Sequence, residues 1–179
     1  MNKIVPYLLS VVVVIALFIS QSEAKSLKLK GGACYQQYDY PLYKQCGQSW
    51  SSDIIYTDTI CKSGCLLTSM TMALDGRGLA SFNPGQFLSW LKSNGGLSGN
   101  LFVWGSVRPF GLSYNGKVSS TSSIVSNICN DNVVFLNVRN GGHWVLATGY
   151  DGYSFTVNDP GYSRSSYSPS EVTQAAIYS

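Results

Sequence analysis

The stretch VVFLNVRNGGHWVLATGYDGYSFTVND, residues 133–159, decides the fold of this chain. Its apolar residues alternate with a period of two, which predicts β-strands over residues 133–139, 143–150 and 153–159. The three runs are separated by NGG and DG, sequences that are typical of tight hairpin turns. We therefore expect three consecutive antiparallel strands with one buried face.

The two turns set the register of this sheet. A two-residue type I′ turn at Asn140 and Gly141 gives the first hairpin a wholly apolar face. In the second hairpin, a three-residue loop over residues 150–152 separates apolar from polar side chains better than a two-residue turn does. That loop places His143, the only histidine of the chain, directly opposite Asp159. The predicted pairs are Val138 with His143, Leu136 with Val145, Val134 with Ala147, Val145 with Val157, Ala147 with Phe155, and His143 with Asp159.

Upstream of the strands, the hydrophobic period becomes that of α-helices. Residues 62–78, KSGCLLTSMTMALDGRG, predict a helix that ends at Gly76 or Gly78 and carries Cys65 in its first turn. The apolar residues predicted on its buried stripe are Leu66, Met70, Ala73 and Leu74.

Two further helices are predicted before the strands. The helix over residues 83–96 is capped by Asn83 and has Pro84 at its first position. A shorter helix lies within residues 120–131. Helices followed by an antiparallel sheet form an α+β pattern.

The N-terminus predicts a secretory signal peptide. An apolar run at residues 8–19 follows Lys3, and small residues precede a cleavage site after Ala24. The run is too short to cross a bilayer, which takes about 20 residues. We expect residues 1–24 to be removed and residues 25–179 to form one domain. That domain would be secreted or lie in an endomembrane lumen such as that of a lysosome, without membrane contact.

Five cysteines remain in the predicted domain, an odd number for an oxidising compartment. Two disulfides and one free thiol account for them. Cys65 is the best candidate for the free thiol, because a helix start stabilises a thiolate; the alternative is a disulfide between Cys65 and Cys61. Sequence leaves three pairings open for the other four, which are Cys34, Cys46, Cys61 and Cys129.

Charge and composition limit the kinds of partner that we expect the protein to bind. The net charge is only +3, and no basic cluster exceeds KSLKLK at residues 25–30, which argues against nucleic acid. One histidine does not complete a common zinc site with these cysteines, so we expect no metal and no cofactor. We expect a monomer.

A histidine held by a carboxylate forms two thirds of a nucleophilic triad, and a free thiol supplies the third part. Opposed strand residues hold their Cβ atoms roughly 4.5–5.5 Å apart, so Asp159 can accept a hydrogen bond from His143. Such a site also needs donors for an oxyanion. The candidates are the Cys65 backbone N–H and the side chain of either Gln45 or Gln48.

The motifs resemble a known family. Gly-Cys at a helix start before TSMTM, an upstream YKQ…W, and GGHWVLATGYDG…VNDPG are similar to the C39-like branch of the papain-like cysteine peptidases, over roughly residues 43–178. The resemblance implies a papain-like α+β fold, with N-terminal helices packed on a C-terminal antiparallel sheet. It also implies a peptide or protein substrate.

The resemblance assigns a role to each site residue. Cys65 would be the nucleophile, His143 the general base and acid, Asp159 its orienting partner, and Gln45 the oxyanion donor. Family members usually have Gly-Pro after the cysteine, where this chain has Leu66 and Leu67. The better-known members cut double-glycine leaders within export transporters. We do not expect that specificity here, since the sequence shows no transporter segment.

Two other functions fit the same fold. One is an amidase that uses the same triad on cell-wall peptides. The other is a secreted binding domain without catalysis, which the change to Leu66 and Leu67 favours.

Overall fold

The computed structural model describes residues 32–179. The predicted signal peptide over residues 1–24 and the beginning of the predicted domain lie outside the described residues. Among the residues described, no helix has the length and apolar character needed to cross a membrane.

The described residues form a mixed fold of helices around an antiparallel sheet. The α-helices are α1 (Ile60–Ser63), α2 (Cys65–Gly76), α3 (Pro84–Ser93) and α4 (Thr121–Cys129). The strands are β1 (Cys34–Tyr35), β2 (Leu97–Ser98), β3 (Leu101–Phe102), β4 (Tyr114–Val118), β5 (Val133–Val138), β6 (His143–Tyr150), β7 (Phe155–Asn158), β8 (Ser166–Tyr167) and β9 (Val172–Tyr178). Short 3-10 segments cover Trp104–Phe110 and Pro169–Glu171.

Helix α2 carries Cys65 in its first turn and ends at Gly76, one of the two predicted ends, but it is buried on every side. All residues from 66 to 74 are buried, so the expectation of a single buried stripe is wrong. Two of its buried hydroxyls are hydrogen-bonded, whereas the Thr68 hydroxyl has no partner in the described part of the chain. The Thr71 hydroxyl donates to the Leu67 carbonyl at 2.9 Å, and the Ser69 hydroxyl donates to the Trp144 carbonyl at 3.3 Å.

Helix α3 begins as predicted, with Asn83 as its cap and Pro84 at its first position. Asn83 accepts a hydrogen bond from the Gln86 backbone N–H at 2.9 Å, and the Gln86 side chain accepts one from the Asn83 N–H at 2.9 Å. This reciprocal capping box satisfies two donors that the first turn would otherwise leave unpaired.

The main sheet has the strand order β4-β9-β5-β6-β7-β8, and β1 pairs with β6 beside this path. Every pairing is antiparallel. The sequence analysis predicts only β5, β6 and β7. It misses β9, which lies between β4 and β5, because Ala175 and Ala176 have low β-propensity and mask the strand pattern.

The two faces of the sheet are covered by different helices. Phe135 and Leu146 pack with α2 and α3, whereas Leu136 and Val145 pack with α4. The cysteine helix therefore packs on the sheet as expected, on the face opposite to the apolar face of the first predicted hairpin.

The first hairpin has the predicted register. Val138 pairs with His143, and Leu136 pairs with Val145. Asn140 and Gly141 have φ values of 55° and 89°. The Gly142 N–H donates to the Arg139 carbonyl at 3.2 Å. Arg139 also has a positive φ of 53°, and the Gly141 N–H donates to the Val138 carbonyl at 3.2 Å. The register is therefore as predicted, but the turn is a four-residue loop over residues 139–142 and not the predicted two-residue type I′ turn.

The second hairpin does not have the predicted register. Its loop covers residues 151–154, four residues rather than three. The Asp151 side chain accepts hydrogen bonds from the Tyr153 and Ser154 N–H groups at 2.8 and 2.6 Å, and this Asx turn lengthens the loop. A bulge between Ala147 and Gly149 adds an unpaired residue to β6.

The residues paired in the second hairpin differ from the predicted ones. Ala147 pairs with Val157 rather than with Phe155, and Phe155 pairs with Tyr150. One further step along this register would set Asp159 beside Val145, so the predicted direct opposition of His143 and Asp159 is wrong.

The capping box offers a test of the fold. We expect Asn83→Ala to lower the free energy of unfolding by about 0.5–2 kcal/mol, because the change leaves helix N–H groups unpaired. Chemical denaturation would measure it. The matched control is Ser89→Ala in the middle of α3, which we expect to stay within about 0.5 kcal/mol of wild type. An equal loss in both variants would contradict the role of the cap.

Candidate active site

The candidate site begins at Cys65, the first residue of α2. Its sulfur is the free thiol of the described residues and is partly exposed. The remaining cysteines form two disulfides, which are Cys34–Cys129 and Cys46–Cys61. The predicted two bridges and one free thiol are confirmed, and the alternative bridge between Cys65 and Cys61 is wrong.

Gly64 allows the thiol to occupy this position. A Cβ atom on Gly64 would lie 2.5 Å from the Ile60 carbonyl oxygen and 2.8 Å from the Ile60 side chain. Only glycine therefore allows α1 to end so close to the start of α2. The junction places Cys65 at the end of α2 where the N–H groups are unpaired.

His143 and Asp159 form a buried pair. The His143 Nε2 lies 2.7 Å from the Asp159 Oδ1, and the two residues are 5% and 1% exposed. Diagonal neighbours on adjacent strands remain within reach of long side chains. The predicted contact therefore forms diagonally, although the register is shifted by two residues.

The carboxylate of Asp159 is fixed by several donors. Its Oδ1 also accepts hydrogen bonds from the Gly161 and Tyr162 N–H groups at 2.8 and 2.9 Å, and its Oδ2 accepts one from the Tyr167 hydroxyl at 2.7 Å. Burial raises the pKa of Asp159, but the hydrogen bonds from His143 and Tyr167 outweigh it and hold the pKa below its usual value. Asp159 is therefore an oriented, ionised carboxylate.

Opposing effects set the charge of His143. Burial lowers its pKa, but hydrogen bonds with Asp159 and with Cys65 outweigh burial and raise the pKa to about 9. Since Nε2 is engaged by Asp159, Nδ1 is the nitrogen left for the sulfur of Cys65. The ring thus connects the thiol to the carboxylate, and it is cationic near neutral pH.

A cover of three side chains lies over this pair. The Tyr162 ring meets the His143 ring edge to face, with centroids 5.0 Å apart, and the Arg139 guanidinium lies 4.1 Å from the Tyr162 centroid. The Lys44 Nζ donates to the backbone carbonyls of Asp159 and Tyr162 at 2.7 and 2.9 Å. Sequence analysis misses all three, because only the fold brings these separate segments together.

Of the two candidate glutamines, the structure brings Gln45 to the site. Gln45 is buried, and its Nε2 donates to the Cys61 carbonyl at 2.7 Å. A Cβ on Gly161 would lie 3.3 Å from the Gln45 Oε1 and 2.9 Å from the His143 Cε1, so the glutamine lies beside the imidazole. Gln48 is exposed.

The side chains around Cys65 do not resemble a metal centre. Within residues 32–179, no three His, Cys, Asp or Glu side chains come together in a group that could hold a metal ion. What the arrangement can do chemically is move a proton between a sulfur and an imidazole whose orientation a carboxylate fixes.

Two solved structures share this architecture. One is a crystal structure of a double glycine motif protease from an AMS/PCAT transporter in complex with the leader peptide. It is 17% identical, with a TM-score of 0.52 over 80% of this chain and 93% of that chain. The other is a protein from Bacillus anthracis described as a C39-like peptidase. It is 15% identical, with a TM-score of 0.53 over 81% of this chain and 96% of that chain.

Sequence comparison identifies the family. A search of curated proteins found no match. Residues 37–178, well over half of the chain, match the model of the Peptidase_C39 like family. The fold is the papain-like fold of C39 peptidases. This chain belongs to the Peptidase_C39 like family.

Proposed function

We propose that this protein is a secreted cysteine peptidase that cleaves peptide bonds with Cys65, His143, Asp159 and Gln45. The observation that carries the proposal is the buried hydrogen bond between His143 and Asp159, with the free thiol of Cys65 close enough to the same ring to raise its pKa. Family membership supports peptidase chemistry.

The chemistry follows from the charges. Transfer of the Cys65 proton to His143 gives the thiolate and the imidazolium with which the reaction begins. The thiolate attacks the substrate carbonyl, a carbon–sulfur bond forms, and the carbonyl oxygen becomes an oxyanion. His143 then gives its proton to the leaving amine as the carbon–nitrogen bond breaks. In the second half, neutral His143 takes a proton from water, which attacks the thioester and releases the acid and the thiolate.

Two donors would hold the oxyanion. The Cys65 backbone N–H lies in the first turn of α2, where it has no partner within the helix. A glutamine amide nitrogen carries two hydrogens, and Gln45 uses one of them on the Cys61 carbonyl. The second hydrogen has no acceptor among the described residues, which supports Gln45 as the second donor in this proposal.

The presence of Leu66 and Leu67 where the family usually has Gly-Pro does not argue against catalysis. Both residues are buried, 8% and 3% exposed, while Cys65 stays partly exposed. A non-catalytic role therefore gains no support from this departure.

The substrate and the compartment belong to the same proposal. A structural neighbour is a protease solved with a leader peptide, which supports a peptide substrate for this chain. Two disulfides fit an oxidising compartment, either outside the cell or in an endomembrane lumen. We propose that residues 1–24 direct the chain there and that residues 25–179 form the peptidase domain, which acts as a monomer.

The first test removes the sulfur. Cys65→Ala should abolish peptide hydrolysis and labelling by a thiol-directed acyl probe, because no other free thiol lies among the described residues. Thiol counting on the mature protein should give one free thiol in wild type and none in the variant. Thermal unfolding should be nearly unchanged, with Cys65→Ser as the size-matched control. Hydrolysis by Cys65→Ala at the wild-type rate would contradict the proposal.

The second test uses the single histidine as its own probe. An NMR titration of the His143 ring should have its midpoint at about 9 rather than at 6.5. Asp159→Asn and Cys65→Ala should each lower the midpoint, since both partners raise the pKa. A wild-type midpoint near 6.5 would contradict the site.

The same titration predicts a change in stability with pH. The pKa of His143 is raised to about 9 on folding, from an ordinary value of 6.5. The folded state therefore binds more protons between these values. The contribution of protonated His143 and its partners to the free energy of unfolding is complete below pH 6.5. The free energy of unfolding should fall as the pH rises from 6.5 through 9.

The third test separates the two glutamines. Gln45→Ala should lower kcat by about 100- to 1,000-fold, as the loss of one oxyanion donor does. KM should change little, because the oxyanion exists only in the transition state. Gln48→Ala is the matched control and should keep wild-type kinetics. A loss confined to Gln48→Ala would reverse the assignment.

A further inference from the structure

A small apolar cavity opens beside Cys65. Its volume is about 110 Å³, and Cys65 is part of its wall. An apolar cavity of about 150 Å³ can hold a ring the size of benzene, and one water occupies roughly 30 Å³. The space therefore suits one branched aliphatic side chain. The apolar lining residues used here are Leu66, Leu67, Leu97, Phe102 and Trp144.

We propose that this cavity is the specificity subsite of the peptidase and that it takes a branched apolar side chain of the substrate. The inference rests on the proposed function. An extended chain advances by about 3.3–3.6 Å per residue. Since the cavity wall includes Cys65, the side chain belongs to a residue within two positions of the scissile bond.

The polar residues of the wall are already bonded. The Ser63 hydroxyl donates to Asp58 at 2.6 Å. The Asn100 Oδ1 accepts the N–H groups of residues 56, 57 and 58 at 3.1, 2.9 and 3.2 Å, and its Nδ2 donates to Thr57 at 2.6 Å. Both residues are neutral and held by these hydrogen bonds, so neither brings an opposite charge to a buried ion. A charged side chain would therefore lose its hydration here without gaining a partner.

The same bonds give the cavity a fixed shape. Asn100 lies at the tip of the hairpin formed by β2 and β3, and it fastens that tip to the loop over residues 56–58. One wall comes from this hairpin and the floor comes from α2, whose residues Leu66 and Leu67 are buried. A preformed subsite costs little ordering on binding, so it discriminates between side chains.

The rim of the cavity is apolar as well. Leu101 lines it and is 72% exposed, and Tyr56 on the adjoining loop is 71% exposed. Exposed apolar side chains clustered at a cavity mouth are typical of a binding surface. They extend the apolar contact beyond the cavity itself.

The test uses short peptides with a thiol-reactive vinyl sulfone at the carboxyl end. In two series, either the last residue or the residue before it is Gly, Ala, Val, Leu, Asp or Lys. We expect Val and Leu at one of these positions to speed modification of Cys65 at least about tenfold over Gly. Asp and Lys should be slower than Gly. Equal rates for Gly and Leu in both series, or a preference for a charged residue, would overturn the subsite.

A second reagent pair separates the subsite from the peptidase proposal. Iodoacetamide and N-isobutyl iodoacetamide alkylate an accessible thiol without any peptidase step. A preference for the isobutyl reagent in a protein that hydrolyses no peptide would keep the subsite and remove the peptidase. Peptide hydrolysis without any preference for apolar side chains would keep the peptidase proposal and remove the subsite.

A variant with a matched control completes the experiment. Leu101→Asp places a charge at the exposed rim, so the ratio of the Leu rate to the Gly rate should fall toward one and the Lys peptide should become faster. Leu79→Asp is the control, since Leu79 follows the far end of α2 and does not line the cavity. An unchanged ratio in Leu101→Asp, or the same change in both variants, would count against the subsite.

Discussion

The hydrogen bond between His143 and Asp159 is the contact on which the rest of the site depends. At 2.7 Å, between two buried side chains, it determines which ring nitrogen is left for the thiol and keeps the ring charged. Its geometry is imposed from the carboxylate side, where two backbone N–H groups and the Tyr167 hydroxyl fix both oxygens. A carboxylate held in this way leaves the imidazole one orientation.

The thiol reaches that imidazole because several constraints meet at one corner of the fold. Gly64 lets α1 and α2 join closely, which sets the position of Cys65. The disulfide between Cys46 and Cys61 links the segment that carries Gln45 to α1, and Gln45 itself donates to the Cys61 carbonyl. Cys65, His143 and Gln45 are thus held in place by short covalent and hydrogen-bonded connections.

The sequence predicts the elements whose signals are local. The Gly-Cys start of α2, the cap of α3 and the register of the first hairpin each depend on a few adjacent residues. The second hairpin is mispredicted because a bulge and an Asx turn change the register without a clear hydrophobic signal. The contact of His143 with Asp159 forms nonetheless, since side chains reach diagonally across strands. Lys44 and Tyr162 act through backbone carbonyls and ring contacts, for which sequence has no pattern.

The departure from the family motif coincides with the apolar cavity. Leu66 and Leu67 stand where the family usually has Gly-Pro, and both line the cavity beside Cys65. Neither residue takes part in the hydrogen bonds of Asp159, which involve residues 143, 161, 162 and 167. Under the proposed function, a change at residues 66 and 67 can therefore alter which side chain is bound without disturbing the hydrogen bonds of Asp159. An apolar floor that shares no hydrogen bond with the His143–Asp159 pair lets one fold keep the proposed chemistry while its specificity changes.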